Sequence, residues 1–192
     1  MRLTTYRSDG MTGRYQQGNT RRAQVLARRL DPATLFNSGP IVIGELNPFT
    51  LLNPDELCWV EVQSGGLELA VSLHESVDKV RKFTGREEYE RVLARQWPRW
   101  RKAQAGARAD LLEALVELTF RGGHALYLHV TGRVVDTPLS ELIFGSPAIC
   151  ATFEPDGTVY ANPKCIVRAR VYHSMSKVTY PNGLWCAEAD EI

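Results

Sequence analysis

No apolar run approaches the roughly 18 residues that a membrane-spanning helix requires, and residues 1–17 lack the apolar core of a secretory leader. Those two absences predict a cytoplasmic protein with no membrane partner. Cysteine is sparse: Cys58, Cys150, Cys165 and Cys186 are far apart and include no C-x-x-C pair. A zinc knuckle is therefore not expected, and a chain of 192 residues has no need of a disulfide framework. Buried free thiols are the expectation. Neither H-x-x-x-H nor H-x-E occurs, and there is no Walker loop, G-x-G-x-x-G or G-x-S-x-G. These gaps leave no residue set that would hold a metal or a cofactor, and no motif that names a reaction.

The least ordinary absence is one of charge. From residue 31 to residue 78 there is no Lys or Arg, while eight acids stand there: Asp31, Glu45, Asp55, Glu56, Glu61, Glu68, Glu75 and Asp78. The flanks are the opposite. Residues 1–30 carry seven arginines against Asp9, a net +6, and residues 79–108 carry ten bases against Glu87, Glu88 and Glu90, a net +7. Such blocks can pair inside the fold or present separate faces to different partners. The overall charge of +1 hides this sorting.

Composition is otherwise that of a globular protein, 44% hydrophobic and 23% charged. Residues 1–18, rich in Gly, Ser, Thr, Gln and Arg, read as a flexible basic arm ahead of one α+β domain over 19–192. Asn19 or Thr20 can cap a helix to residue 30 with the stripe Ala23, Leu26, Ala27 and Leu30. Asp31-Pro32 opens a turn ending near residues 37–39, and a strand follows at 41–46. Residues 57–63 and 67–74 both alternate across Ser64-Gly65-Gly66 and predict an antiparallel hairpin. A helix begins at Thr84 or Gly85 with acids in its first turn; Tyr89, Val92, Leu93, Gln96 and Trp100 mark its buried side, and Pro98 should kink or restart it.

Over 107–121, Asp110, Glu113, Glu117 and Arg121 fall three and four apart among Leu111, Leu112, Leu115, Val116, Leu118 and Phe120, which predicts a buried central helix ended by Gly122-Gly123. The last third reads as strands at 125–130, 149–153, 158–161, 165–173 and 178–180, with a short helix at 140–144 and turns at 155–157 and 181–183. No internal repeat is evident. The fold class is α+β: a largely antiparallel sheet packed against a few helices.

Function is read from the two basic blocks. Arg91, Arg95, Arg99 and Lys102 recur at spacings of four, four and three and form one helical stripe. With Arg7, Arg14, Arg21, Arg22, Arg28 and Arg29 they predict a non-catalytic nucleic-acid-binding protein, a subunit of a larger nucleoprotein assembly. Of 23 bases 18 are arginine, whose planar fork matches phosphate oxygens. Tyr15, Trp97 and Trp100 lie among them and could stack on unpaired bases. The competing reading is that the arginines neutralise the acidic segment. A second alternative is a small metal-free ribonuclease or phosphodiesterase with His173 or His129 as general base, Lys177 as phosphate cation, and Glu141 or Asp136 nearby. A third is an adaptor or inhibitor that docks a basic partner through the acidic 31–78 segment, with Trp59 as its anchor.

Overall fold

The computed structural model describes residues 1–44, 49–104, 111–133, 141 and 145–174. In chain order the elements are β1 (Arg2–Arg7), β2 (Thr12–Gln16), α1 (Thr20–Arg29), β3 (Ile41–Gly44), β4 (Phe49–Leu52), β5 (Leu57–Gln63), β6 (Val77–Lys82), α2 (Arg86–Gln104), β7 (Leu111–Phe120), β8 (Ala125–Arg133), β9 (Ile149–Phe153), β10 (Gly157–Ala161) and β11 (Ile166–His173). Nine strands form one sheet in the order β11-β7-β8-β6-β9-β10-β5-β1-β2, while β3 and β4 make a separate ribbon. Every described pairing is antiparallel except β6 with β9. The fold is α+β, with a larger share of sheet than expected.

The sheet curls until its two halves touch. β5 and β7 are separated in strand order by β10, β9, β6 and β8, yet the rings of Trp59 and Phe120 lie 4.9 Å apart and the Cys58 thiol donates to the Arg121 carbonyl at 3.3 Å. One face therefore closes on itself as a single cluster including Trp59, Val80, Val116, Leu118, Leu128 and Val159. The outer face is left as two separate clusters. Over β1 and β5, Leu3, Val60 and Val62 pack with Leu30, Leu35 and Leu52 from α1, the turn after it and the β3–β4 ribbon. Over β7, β8 and β11, Leu115, Tyr127 and Tyr172 pack with Tyr89, Trp97 and Trp100 of α2.

Three sequence expectations are overturned. The buried helix over 107–121 is instead strand β7 from residue 111, paired with β8 and β11. Its even positions from Leu112 to Phe120 are buried in the inner cluster, Leu115 is covered by α2, and Glu113 and Glu117 stand on the outer face. A spacing of four puts two residues on one side of a helix and equally on one side of a strand, so Glu113 and Glu117 could not tell the two apart. The flexible basic arm over 1–18 is also corrected: β1 and β2 are paired strands, and β1 pairs with β5 as well. Leu3 and Thr5 supply the buried positions that tie it down. Finally, residues 67–74 form no strand. β5 is flanked by β1 and β10, which saturate its edges; the 67–74 segment crosses the outer face, where the Tyr160 hydroxyl donates to the Ala70 carbonyl at 2.8 Å.

Other expectations match. Asn19 caps α1, its side chain accepting from the Arg22 N–H at 3.0 Å, and the turn after Asp31 is present, with the Asp31 carboxylate accepting from Ala33. β8 to β11 fall where strands are expected, though the expected strand at 178–180, the turn at 181–183 and nearly all of the helix at 140–144 lie outside the described residues. One further expectation is corrected: the helix does not restart at Pro98, and α2 runs through it as one helix from Arg86 to Gln104. The carbonyl that loses its donor belongs to Ala94, an exposed residue where water can substitute.

The Asn-Pro step at residues 53–54, which reads in sequence as turn chemistry at the end of a 47–54 loop, does open a turn, Pro54–Glu56 before β5, although Phe49–Leu52 within that expected loop is strand β4. A second Asn-Pro turn, Pro163–Cys165, precedes β11. Each is capped by its asparagine, Asn53 or Asn162, accepting from the N–H two residues on. They interlock: the Asn162 amide donates to the Pro54 carbonyl, and the Cys165 thiol donates to the carbonyls of Asp55 and Leu57. This junction carries the chain from β10 across to β11 at the far end of the sheet.

The turn joining β7 to β8 is equally constrained. Gly122 and Gly123 have φ of +77° and +80°, and a Cβ on Gly122 would lie 2.5 Å from the Ser8 carbonyl oxygen and 2.6 Å from the Gly10 nitrogen in the β1–β2 turn. A Cβ on Gly123 would meet nothing. Gly122→Ala should therefore cost about 2 kcal/mol or more, and Gly123→Ala only the backbone strain of about 1 kcal/mol. Urea denaturation of both variants measures the difference, and equal costs would remove the contact between the two halves as its cause.

Candidate nucleic-acid interface

α2 is fixed to the sheet by its aromatic side and by its first turn. Tyr89 and Trp100 are buried, and Val92, Leu93 and Gln96 are half-buried on the same side. Burial pushes the Tyr89 phenol up beyond its ordinary range, with the nearby Glu117 carboxylate adding to the effect. At the N-terminus the Glu88 carboxylate accepts from the Thr84 N–H and hydroxyl, each at 2.8 Å, and from Arg81 at 3.0 Å. This is a capping arrangement in which a side chain in the first turn satisfies a backbone donor ahead of the helix. Above all the Thr84 N–H holds the Glu88 carboxyl below its usual range; partial burial opposes it, while the Thr84 hydroxyl and Arg81 reinforce it.

The opposite side of α2 is cationic. Arg91, Arg95, Arg99 and Lys102 are all exposed, and among the described residues none makes an ion pair. Described ion pairs use other bases: Arg7 with Asp9, Arg81 with Glu88, Lys82 with Glu61, Arg86 with Glu90 and Arg170 with Glu117. Of these, Lys82 to Glu61 at 2.9 Å joins the 79–108 block to the acidic segment. Among the described residues the α2 stripe takes no part in pairing with that segment and faces water.

The first basic block is placed differently. Arg21, Arg22, Arg28 and Arg29 are exposed on α1, and Arg22 has an interaction of its own. Arg14 is exposed on β2, and Arg7 is held by Asp9 at 2.5 Å. α1 covers the outer cluster over β1 and β5, whereas α2 covers the one over β7, β8 and β11. The structure thus gathers the four cations of the stripe on one helix face but seats the residue 7–29 arginines on the other half of the sheet, so the two basic blocks, expected side by side on one surface, cover separate parts of the fold.

The aromatic part of the expectation is not met. Trp100 is core, Trp97 packs edge-on against Tyr172 at a centroid distance of 5.2 Å, and Tyr15 joins the cluster beneath α1. Trp59 is buried and stacked on Tyr6 at 4.1 Å, so it anchors the inner cluster and is not on offer to a partner. Beside it, Glu61 accepts from the indole N–H at 3.2 Å; burial first, and Glu61 second, raise the Tyr6 phenol to about 12.

The histidines do not form one site. His129 lies 3.0 Å from the Glu113 carboxylate on the outer face and stacks over Phe83. His173 is in register with Ala114, a residue of the inner cluster, while His129 is in register with Leu115 on the outer face. The two imidazoles therefore belong to opposite sides of the sheet. Lys177 and Asp136 lie outside the described residues, and Glu141 is exposed. Among the described residues no group of three or more His, Cys, Asp or Glu side chains could hold a metal, and no helix is long and apolar enough to cross a membrane.

No protein-family model, curated protein or solved structure matches this chain.

A depressed carboxyl pKa contributes stability above the unfolded value and loses it as pH falls through the folded one. Glu88→Gln should therefore destabilise the protein by about 1 kcal/mol at neutral pH. The gap from the parent should close as the pH drops below the ordinary carboxyl range. Denaturation midpoints of parent and variant across that range measure it; a pH-independent gap would assign the loss to something other than the charge.

Proposed function

We propose that the protein binds nucleic acid, without acting on it chemically, by laying the phosphate backbone along the exposed side of α2. Arg91, Arg95, Arg99 and Lys102 are the contacts. The observation that carries this reading is the combination on one helix of a buried aromatic side and a cationic side that no described carboxylate neutralises. From residue 91 to residue 102 the stripe runs about 16 Å at the α-helical rise, comparable to the rise of about five base pairs along a duplex axis. Guanidinium groups at this spacing can each meet a phosphate through charge-assisted hydrogen bonds. Arg21, Arg28 and Arg29, exposed on α1, offer a second contact region to a longer strand or a neighbouring one. Membership of a larger nucleoprotein assembly belongs to the same proposal.

Recognition of this kind is electrostatic and indifferent to base sequence, since the aromatic rings nearest the stripe are occupied in the core. The test is anisotropy of labelled single strands and duplexes across a salt series. Four phosphate contacts predict a log-log slope of about −3. Arg91→Glu combined with Arg95→Glu should weaken binding at least ~tenfold at low salt and flatten the slope by about 2, with an unchanged melting temperature. Undiminished binding by that folded variant would take α2 out of the interface.

A further inference from the structure

A cavity of about 600 Å³ lies between α1, the β3–β4 ribbon and the outer face of β1, β2 and β5, and nothing argued above for α2 uses it. Its walls are aliphatic, with Leu26 and Leu30 from α1, Ile41 and Ile43 from β3, Leu52 from β4 and Val60 from β5. A volume of this order suits a small apolar molecule. Polar side chains break the aliphatic lining: Tyr15, Gln16 and Gln17 stand in it beside two further features. Arg29 and Arg22 are exposed residues that border it. In the floor, Thr5 is 1% exposed and its hydroxyl has no hydrogen-bond partner.

An unmet buried hydroxyl is costly to keep. It stands beside Gly13, where a Cβ would come 2.8 Å from the Thr5 Oγ1 and 2.7 Å from the Tyr15 hydroxyl oxygen. Only a residue without a Cβ fits there, because the Tyr15 ring packs on Gly13 and brings the Tyr15 and Thr5 hydroxyl oxygens to the same corner. Val25 and Val42, 48% and 58% exposed, extend the apolar surface to the mouth.

We propose that this cavity binds a single-chain amphiphile with an anionic carboxylate head and a hydroxyl or keto oxygen toward the far end of its chain. The carboxylate meets the guanidinium of Arg29 at the rim, the chain fills the aliphatic walls, and the distal oxygen exchanges a hydrogen bond with the Thr5 hydroxyl. Arginine's fork suits a carboxylate, and a buried partner for Thr5 discriminates between chains that carry the distal oxygen and chains that do not.

Titration calorimetry with ω-hydroxy carboxylates from octyl to dodecyl, their unsubstituted counterparts and the matching alcohols, all below micelle-forming concentrations, tests the idea. At least one ω-hydroxy acid should bind at one to one, more tightly than the plain acid and more tightly than the alcohol. Thr5→Val, of the same shape, should melt no lower than the parent and lose about fivefold in affinity for the ω-hydroxy acid, the worth of one neutral hydrogen bond, with none for the plain acid. Val42→Glu, at an exposed position, should repel every acid tested and leave the fold intact. No binding by any chain, equal binding of acids and alcohols, or capture of an amphipathic peptide in their place would overturn the assignment. The α2 variants Arg91→Glu and Arg95→Glu should bind the amphiphile normally, which separates failure here from failure of the nucleic-acid reading.

Discussion

The contact between the two halves of the curled sheet is the constraint on which the remaining architecture depends. Trp59 on β5 and Phe120 at the end of β7 meet with Tyr6 and His124 around them, the His124 ring edge-on to both Tyr6 and Trp59. Because two layers of the same sheet face each other there, the inner positions are partly filled by small side chains, and Ala114, Ala151 and Ala161 are essentially inaccessible to water. Large residues at all of these positions would hold the layers apart. Curling in turn decides the outside: a face that bends away from itself cannot cover its own apolar residues, so the two outer clusters need separate lids. α1 with the β3–β4 ribbon serves one and α2 the other. Each helix therefore has a buried side dictated by the sheet and a charged side left over.

How much of this can be read from the sequence depends on how many sides of an element are wet. α1 has one buried stripe, a capping asparagine and a polar remainder, and it is legible nearly to the residue. β8 alternates half-buried and buried positions along its length, and is legible too. β7 is covered on one side by the opposing layer and at Leu115 by α2, so its apolar residues do not alternate cleanly, and its acids sit four apart. Periodicity does not separate helix from strand in such a segment. β5 is buried on both faces for the same reason, and its pairing partners, β1 and β10, are remote in sequence, which no local pattern can announce. The N-terminal hairpin does leave a signal: Asp9-Gly10 between two short β-like runs is a hairpin turn pair. Its weight is lost beside the polar composition of an edge strand.

The candidate interface is legible in part, and the division is physical. Spacing along a helix fixes which side chains share a side, so the stripe from Arg91 to Lys102 follows from sequence once the helix is granted. Whether those charges are consumed does not follow, since that depends on which carboxylates the fold brings near. Here Glu61 is taken by Lys82, Glu117 by Arg170 and Glu113 by His129, each by a partner on the sheet and none by the α2 stripe. The aromatic residues mislead because an amphipathic helix with tryptophans among arginines is compatible with either side being the wet one; the sheet's need for a lid decides it.

Four cations on one side of α2 have an energetic consequence that links fold to function. Like charges three and four apart repel, at about 0.2–0.5 kcal/mol per pair, so the stripe weakens the helix that displays it. Burial of Tyr89 and Trp100 against Leu115 and Phe83, at roughly 1.5–3 kcal/mol for each large side chain, exceeds that repulsion, and the Glu88 cap adds to the margin. The helix is thus held by its core side and its cap while its outer side stays unneutralised. An approaching polyanion would then meet cations already spaced along one helix face, and each long side chain it fixes would cost about 0.5–1.5 kcal/mol of ordering. It would also relieve the repulsion. Binding and helix stability are therefore coupled with the same sign, and phosphate contact should tighten the packing of α2 on β7, β8 and β11.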